Sequence, residues 1–350
     1  MDISMPKPLT PEQVETLVNL GAMASPEARG SVGQGVEATQ ATLIALGNLG
    51  LPSLAPVERM GSDSTSNGSL DSLSSSPEGR AFAELVKQTH HQMGRMIEET
   101  GHVFSDIPNL DSPEFANTNW QRLLEATKAY EELNIPSQLV FTPINRPLGE
   151  ELADGNYTPG SWRALFSGLR AWQDTNHPDS AHKLQNLEDG DGLWINNEVA
   201  TQWNSVIDTN PNAPQWQVSV VPVSSKTPVL NVAHNGTAAD RSIPANLRDI
   251  LDKLPTGSDN SNTDPDIYTI TNPKAETLFT IHAMRQFNKQ DPIDGKIVSL
   301  YNWSWAEGTI DNGVRGLAVS WNPDHGQVLL SHDVVGLRGG DLGVRPEVRG

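Results

Sequence analysis

The chain has 350 residues and a formal net charge of −19; 36% of its residues are hydrophobic, and 29 glycines and 25 prolines indicate a modest core with many loops. The negative charge excludes binding that tracks nucleic-acid phosphates and adhesion to anionic membranes. No cysteine is present, which excludes disulfides, thiolate metal ligands and thiolate nucleophiles.

The first 60 residues predict a small helical segment. Thr10 is a helix cap with Pro11 at the first helical position, and a second helix is expected near residues 35–46. Residues 61–77 are rich in Ser, Gly and Asp and predict a linker too polar to fold. Neither a signal-peptide pattern nor an apolar run long enough to span a bilayer is found, so the cytoplasm or a virion is the default expectation and the compartment stays open.

Residues 78–135 predict a helical hairpin. An apolar stripe at helical spacing marks a helix over 78–100, formed by Phe82, Leu85, Val86, Met93, Met96 and Ile97. A second helix is predicted over 113–133 with Ser112 as its cap. The two helices are expected to pair or to dimerise, which makes residues 78–134 a possible homo-oligomer contact.

The pattern changes to α+β at residue 136, and one domain is predicted from there to residue 350. Strands are expected at 138–142, 193–196, 216–223 and 229–233, and helices at 161–172, 197–207, 246–254 and 272–287.

The last fifty residues predict short antiparallel strands. The apolar runs 316–321 and 327–330 are separated by turn sequences, Asn312-Gly313 and then residues 322–326. Residues 331–341 lose any apolar period and are expected to form a polar surface loop suited to recognising a partner.

These residues resemble a known family. The motifs are Trp303-x-Trp305, Trp321-x-Pro323-x-x-Gly326-Gln327-Val328, Gly336 and the run from Leu342 to Pro346. They resemble the C-terminal variable domain of retroelement-diversified proteins, which has a C-type-lectin-like fold shared distantly with the formylglycine-generating, sulfatase-modifying family. The catalytic branch of that fold works through cysteines, and this chain has none.

The resemblance implies a fixed framework and a set of exposed contact positions. The framework would be Trp303, Trp305, Trp321, Gly326, Gly343, Arg345 and Pro346. The contact positions for ligand would be Ser320, Asn322, Asp324, His325, Ser331, His332, Asp333, Leu337 and Arg338. Arg345 is expected to be buried and paired, because an unpaired buried cation is heavily penalised.

The resulting hypothesis is a non-enzymatic ligand-recognition protein without a cofactor or metal, which binds a protein or a glycan. Its exposed face would use Trp303, Trp305 or Trp321 as anchors. The alternatives are a structural virion or assembly subunit and a metal-dependent hydrolase using His177 and His182. Ser331, His332 and Asp333 are the three residue types of a catalytic triad, but consecutive strand residues face opposite ways, so they are interpreted as recognition residues.

Overall fold

The structure is a computed structural model that describes residues 70–101, 104–180, 183–187, 190–208, 213–224, 229–230, 234, 250, 253–254, 272–294, 296–297, 300–337 and 341–350. The helices predicted within residues 1–60 and most of the helix predicted at 246–254 lie outside these residues. The described part of the chain has the predicted α+β class, with helices and mixed sheets.

Side-chain capping sets the start of several helices. In the described residues the α-helices are α1 (Pro77–Glu99), α2 (Trp120–Glu132), α3 (Trp162–Asn176), α4 (Asn197–Val206) and α5 (Ala275–Phe287). The Ser76 hydroxyl accepts a hydrogen bond from the Gly79 N–H at 2.9 Å at the start of α1, and Ser161 accepts from the Ala164 N–H at 3.3 Å at the start of α3. The predicted start of α2 is wrong, because Asn119 rather than Ser112 caps the helix by accepting from the Arg122 N–H at 3.0 Å.

The described strands form two larger sheets and two short hairpins. They are β1 (Ser137–Pro143), β2 (Asn186–Leu187), β3 (Gly190–Asp191), β4 (Leu193–Ile195), β5 (Trp216–Pro222), β6 (Val229–Leu230), β7 (Lys296–Ile297), β8 (Leu300–Tyr301), β9 (Trp303–Ile310), β10 (Arg315–Asn322), β11 (Gln327–Val334), β12 (Leu342–Val344) and β13 (Val348–Arg349). One sheet has the order β1-β5-β13, and the larger has the order β4-β11-β10-β9-β12-β6. In the larger sheet β4 runs parallel to β11 and β12 runs parallel to β9, whereas β9, β10 and β11 are antiparallel neighbours.

Helices α1 and α2 belong to the same core as the sheets, which contradicts the predicted boundary at residue 135. Both helices pack against β1, and their apolar side chains join one hydrophobic cluster with those of the C-terminal strands. The apolar stripe of α1 is therefore used inside the molecule, so it gives no reason to expect oligomerisation through residues 78–134.

The C-terminal part of the predicted linker has regular structure. Residues Leu70–Ser75 form a 3₁₀-helix, and Leu73 is buried against the core. A single apolar residue that packs against a neighbouring helix gives this polar stretch an ordered end at the start of α1.

Helix α5 lies at the centre of the described fold. It packs against β1 on one side and against β9, β10 and β11 on the other, and its residues are buried almost all round. Several buried residues of α5 are polar, among them Glu276, His282 and Gln286. The core therefore contains groups that can titrate.

Among the described residues, no helix combines the length and the apolar character that crossing a bilayer requires.

Candidate functional site

The predicted tryptophan anchors are part of the core. Trp305 is fully buried and Trp321 is 2% exposed, because β9 and β10 are inner strands of the larger sheet. Trp303 is partly buried against the same cluster. The expectation that Trp305 or Trp321 lies on an exposed binding face is therefore wrong.

The buried pairing predicted for Arg345 is confirmed. Its guanidinium is fully buried, with Nη2 at 2.5 Å from Asp294 Oδ1. Its Nε donates to the Ser304 hydroxyl at 2.8 Å, and its Nη1 and Nη2 donate to the carbonyls of Pro222 and Ser224 at 2.9 Å each. Arg345 thus connects the end of β12 to the end of β5 and to the loop before β7.

Three other framework residues, Gly326, Gly343 and Pro346, are also buried. Gly326 has φ +54°, and a Cβ there would lie 2.4 Å from the Lys183 carbonyl oxygen. Gly343 and Pro346 are buried, and the Pro346 carbonyl accepts a hydrogen bond from the Tyr130 hydroxyl. The tail of the chain is therefore fixed against α2 as well as within the sheets.

Ser320 does not fit its predicted role as a contact residue. Its side chain is fully buried, and its hydroxyl donates to the Asn302 carbonyl at 2.7 Å. Position 320 lies on β10 between β9 and β11, so no ligand can reach it. Arg338 lies outside the described residues.

The remaining contact positions are divided between the two ends of β11. Asn322, Asp324 and His325 lie in the β10–β11 turn, where Asn322 Oδ1 accepts from the N–H groups of Asp324 and His325. His332 lies further along β11, opposite Leu317 in the register. At the strand rise of about 3.3 Å per residue, roughly 20 Å separates these two groups. They form two surfaces, not one.

The second surface is a strand rather than the predicted loop. Ser331, His332 and Asp333 continue β11 and pair with β10, and they are all partly exposed. Leu337, in the turn that follows, is 42% exposed. Strand pairing explains the correction, because the neighbouring strand supplies hydrogen-bond partners that a polar segment does not reveal in its own sequence.

An open cavity of about 530 Å³ lies beside His332. We call it the β11 groove; it is lined by Arg163 of α3, residues 194–198 from β4 to the start of α4, Arg315 of β10 and His332 of β11. The parallel pairing of β4 with β11 and the hydrogen bond from the Asn196 N–H to the Leu330 carbonyl, 2.9 Å long, bring these elements together.

Ion pairs fix one wall of the β11 groove. The Glu198 carboxylate bonds to the Arg315 guanidinium and lies 2.9 Å from His332 Nε2. Arg315 Nε lies 3.2 Å from an Asp311 carboxylate oxygen, and Asp311 in turn exchanges hydrogen bonds with Gln202 of α4. The start of α4 and the start of β10 are therefore held to each other by charged and amide groups.

A second arginine, Arg163, lines the groove in a different environment. Arg163 lies in the first turn of α3, with its guanidinium 6.0 Å from the centre of the Tyr157 ring. Within the described residues it pairs with no carboxylate, and its buried Nε has no hydrogen-bond partner. The indole of Trp194 is partly exposed beside it.

Sequence reasoning missed most of these lining residues. The one readable local signal is Asn196-Asn197-Glu198 after a short strand, where Asn196 caps α4 by accepting from the Glu198 N–H at 2.8 Å. Arg163 and Arg315 are distant in the sequence from this cap, and only the tertiary fold brings them to it.

The residues of the hydrolase alternative are not assembled in the described structure. His177 follows α3 and contacts the edge of the Trp172 ring at a centroid distance of 4.7 Å, and His182 lies outside the described residues. Among the residues that the structure describes, no group of three His, Asp or Glu side chains is arranged to hold a metal ion.

No protein-family model matches this chain, and no curated protein or solved structure matches it either. The resemblance to variable domains therefore depends on the motifs quoted above, and function has to be argued from the geometry of the β11 groove.

Proposed function

We propose that the protein is a non-enzymatic ligand-recognition protein whose binding surface is the β11 groove. The observation that carries this proposal is the ion pair between Glu198 and Arg315 together with the 2.9 Å contact between Glu198 and His332 Nε2, because these contacts position three lining side chains. A site whose groups are held before the ligand arrives avoids part of the entropy cost of ordering them on binding.

The size and lining of the groove support a binding role. Its volume of about 530 Å³ lies within the range of roughly 300–1,000 Å³ that is typical of ligand sites. It combines an aromatic ring, Trp194, with amides and cations that can form directional hydrogen bonds. His332 Nε2 lies 2.9 Å from a Glu198 carboxylate oxygen and 3.2 Å from Arg315 Nη1, so the three side chains hold one another in position.

The position of the groove also agrees with a variable-type surface. His332 lines it, and Ser331 and Asp333 flank His332 on the same strand. If this segment is diversified, the source genome contains a reverse transcriptase and a near-copy of the coding segment for residues 301–349 that differs at adenines. A complete genome without both would overturn this part of the proposal.

The binding role can be tested with arrays of immobilised glycans and immobilised peptides. We expect the wild-type protein to be retained by a defined subset of spots, and Trp194→Ala and Asn197→Ala to lose that retention. The matched control is His325→Ala, which changes an exposed residue at the far end of the β10–β11 hairpin and should retain the wild-type pattern. Failure of the wild-type protein to bind any spot, or an unchanged pattern for both groove variants, would contradict the proposal.

A further inference from the structure

We infer that the β11 groove binds a small carboxylic acid and that Arg163 receives its carboxylate. This inference rests on the proposed function and specifies the ligand's chemistry. The ligand would carry hydroxyl or amide groups close to the acid, to match the polar lining.

The charged residues that line the groove have a net positive charge, whereas the whole chain has a net negative charge. The chain carries −19, yet the groove is lined by two arginines and one carboxylate, Glu198. Arg315 is shared between Glu198 and Asp311, so its charge is already compensated. Arg163 is the lining cation that no carboxylate neutralises within the described residues.

The geometry of Arg163 suits a planar anion. Its backbone N–H donates to the Leu148 carbonyl at 2.9 Å, and its guanidinium lies against the Tyr157 ring, so both ends of the residue are positioned. A guanidinium presents a rigid fork of donors that matches the two oxygens of a carboxylate, whereas a lysine ammonium does not. The free donors of Arg163 are therefore suited to a carboxylate.

A single negative charge fits this groove better than a multiply charged group. The N-terminus of α4 adds a partial positive charge at the groove, but Glu198 lies in the first turn of the same helix. A phosphate carries more negative charge than a carboxylate, so Glu198 would repel it more strongly. In the described part of the chain, Arg163 is the one uncompensated arginine of the groove that could offset this repulsion. A carboxylate is attracted to Arg163 with less repulsion from Glu198.

The other lining groups favour particular chemical groups on the ligand next to its carboxylate. Trp194 offers part of an aromatic surface, and the side chains of Asn196 and Asn197 provide amides. Asn196 uses its oxygen to cap α4, which leaves its NH₂ group to donate. Amides next to an aromatic ring suit hydroxyls or amides on a compact scaffold.

The test compares acids with matched neutral compounds by titration calorimetry on the full chain. The pairs are glucuronate with glucose, and N-acetylglycine with its primary amide. We expect at least one acid to bind about tenfold or more tightly than its neutral partner. Arg163→Gln should abolish that preference, and Arg163→Lys should restore part of it. The matched control Arg95→Gln, which changes an exposed arginine of α1, should keep the preference in full.

The outcomes separate this inference from the proposed function. Acid and neutral compounds binding equally, with Trp194→Ala abolishing both and Arg163→Gln neither, would overturn the carboxylate inference and leave the binding role intact. Retention on peptide spots alone, with none of the four small compounds bound, would overturn it in favour of a protein partner. Melting temperatures equal to that of the wild type would show that the Arg163 variants are folded.

Discussion

Arg345 and Asp294 form a fully buried ion pair, with Nη2 2.5 Å from Oδ1, although one residue lies after β12 and the other lies before β7. Asp294 also accepts hydrogen bonds from Asn302 Nδ2 at 3.0 Å and from the Ser304 hydroxyl at 2.6 Å. The pair therefore joins the tail of the chain to β9 and to the residue that precedes it.

Removing one partner of this pair should destabilise the fold strongly. We expect Arg345→Leu to lower the free energy of unfolding by about 3–5 kcal/mol, because it leaves the Asp294 charge buried without its cation. The matched control is Arg95→Gln, which breaks a largely exposed pair with Glu99 and should cost about 0.5 kcal/mol. Denaturant unfolding measures both, and equal stabilities for the two variants would refute the assignment of Arg345 to the framework.

A side chain at position 326 should destabilise the fold. Its φ of +54° is unfavourable for other residues, and a Cβ would lie 2.4 Å from the Lys183 carbonyl oxygen. We expect Gly326→Ala to cost roughly 1–3 kcal/mol of stability. Gly336→Ala is the control, since a Cβ there meets nothing within 4 Å. A thermal melt in which Gly326→Ala matches Gly336→Ala would show that the turn relaxes freely.

Glu276 should make the protein less stable as the pH rises. Burial raises the pKa of its carboxyl from 4.5 to about 7. The folded state therefore holds this proton more tightly than the unfolded chain, so the stability it contributes is complete below pH 4.5 and is lost as the pH rises through 7. A glutamine at this position cannot ionise. The Glu276→Gln variant should therefore keep the roughly 3 kcal/mol of unfolding free energy that the wild type loses as the pH rises from 4.5 through 7.

The comparison requires unfolding free energies of both proteins at pH 5 and pH 8. The exposed Glu98→Gln on α1 serves as the control and should follow the wild type. Parallel pH profiles for Glu276→Gln and the wild type would mean that the carboxyl titrates normally.

His282, in contrast to Glu276, should make the protein less stable as the pH falls. Burial, together with the nearby charges of Arg345 and Arg285, lowers its pKa from 6.5 to about 3. The unfolded chain binds this proton more tightly, so stability is complete above pH 6.5 and is lost as the pH falls toward 3. Between pH 6.5 and pH 3 the free energy of unfolding should fall by on the order of 5 kcal/mol.

His282→Leu should therefore move the midpoint of acid unfolding to lower pH. Neither ring nitrogen of His282 has a hydrogen-bond partner among the described residues, so the substitution breaks no such bond there. Circular dichroism during an acid titration measures the midpoint. A midpoint that stays in place or moves to higher pH would contradict the burial of a neutral histidine.

Local sequence patterns predicted most of the regular elements. The stripe containing Phe82, Val86 and Met93 lies on the buried face of α1, which spans Pro77–Glu99 against a prediction of 78–100. Helix α3 begins at Trp162, one residue after its predicted start, and β1 and β5 lie within one residue of the predicted bounds. These elements were predictable because their apolar periodicity is local.

The errors have tertiary causes. Ser112 followed by Pro113 has the sequence of a helix start, but the chain forms turns there, and Phe115 is buried in edge contact with Phe141 of β1 at a centroid distance of 5.5 Å. Residues 331–334 have no apolar period, yet β10 supplies their strand partner. A neighbour that is distant in the sequence decides both conformations.

The candidate site was predicted in part. His332 belongs to the predicted contact set and lines the β11 groove, but Arg163, Trp194 and Arg315 were not selected. The tryptophans were chosen for their aromatic area, and two of them turned out to be core, because large aromatic residues on inner strands are buried more readily than displayed. Which polar side chains converge on a groove depends on strand order, and one sequence does not reveal that order.

Hydrogen–deuterium exchange, in the presence of the array compound that the wild-type protein retains, tests the role of the β11 groove most directly. We predict that exchange slows at the backbone amides of residues 194–198 and 330–333, and that it stays unchanged in the β10–β11 turn at residues 322–326. Protection confined to residues 322–326 would place the binding surface at the opposite end of the hairpin and contradict the account.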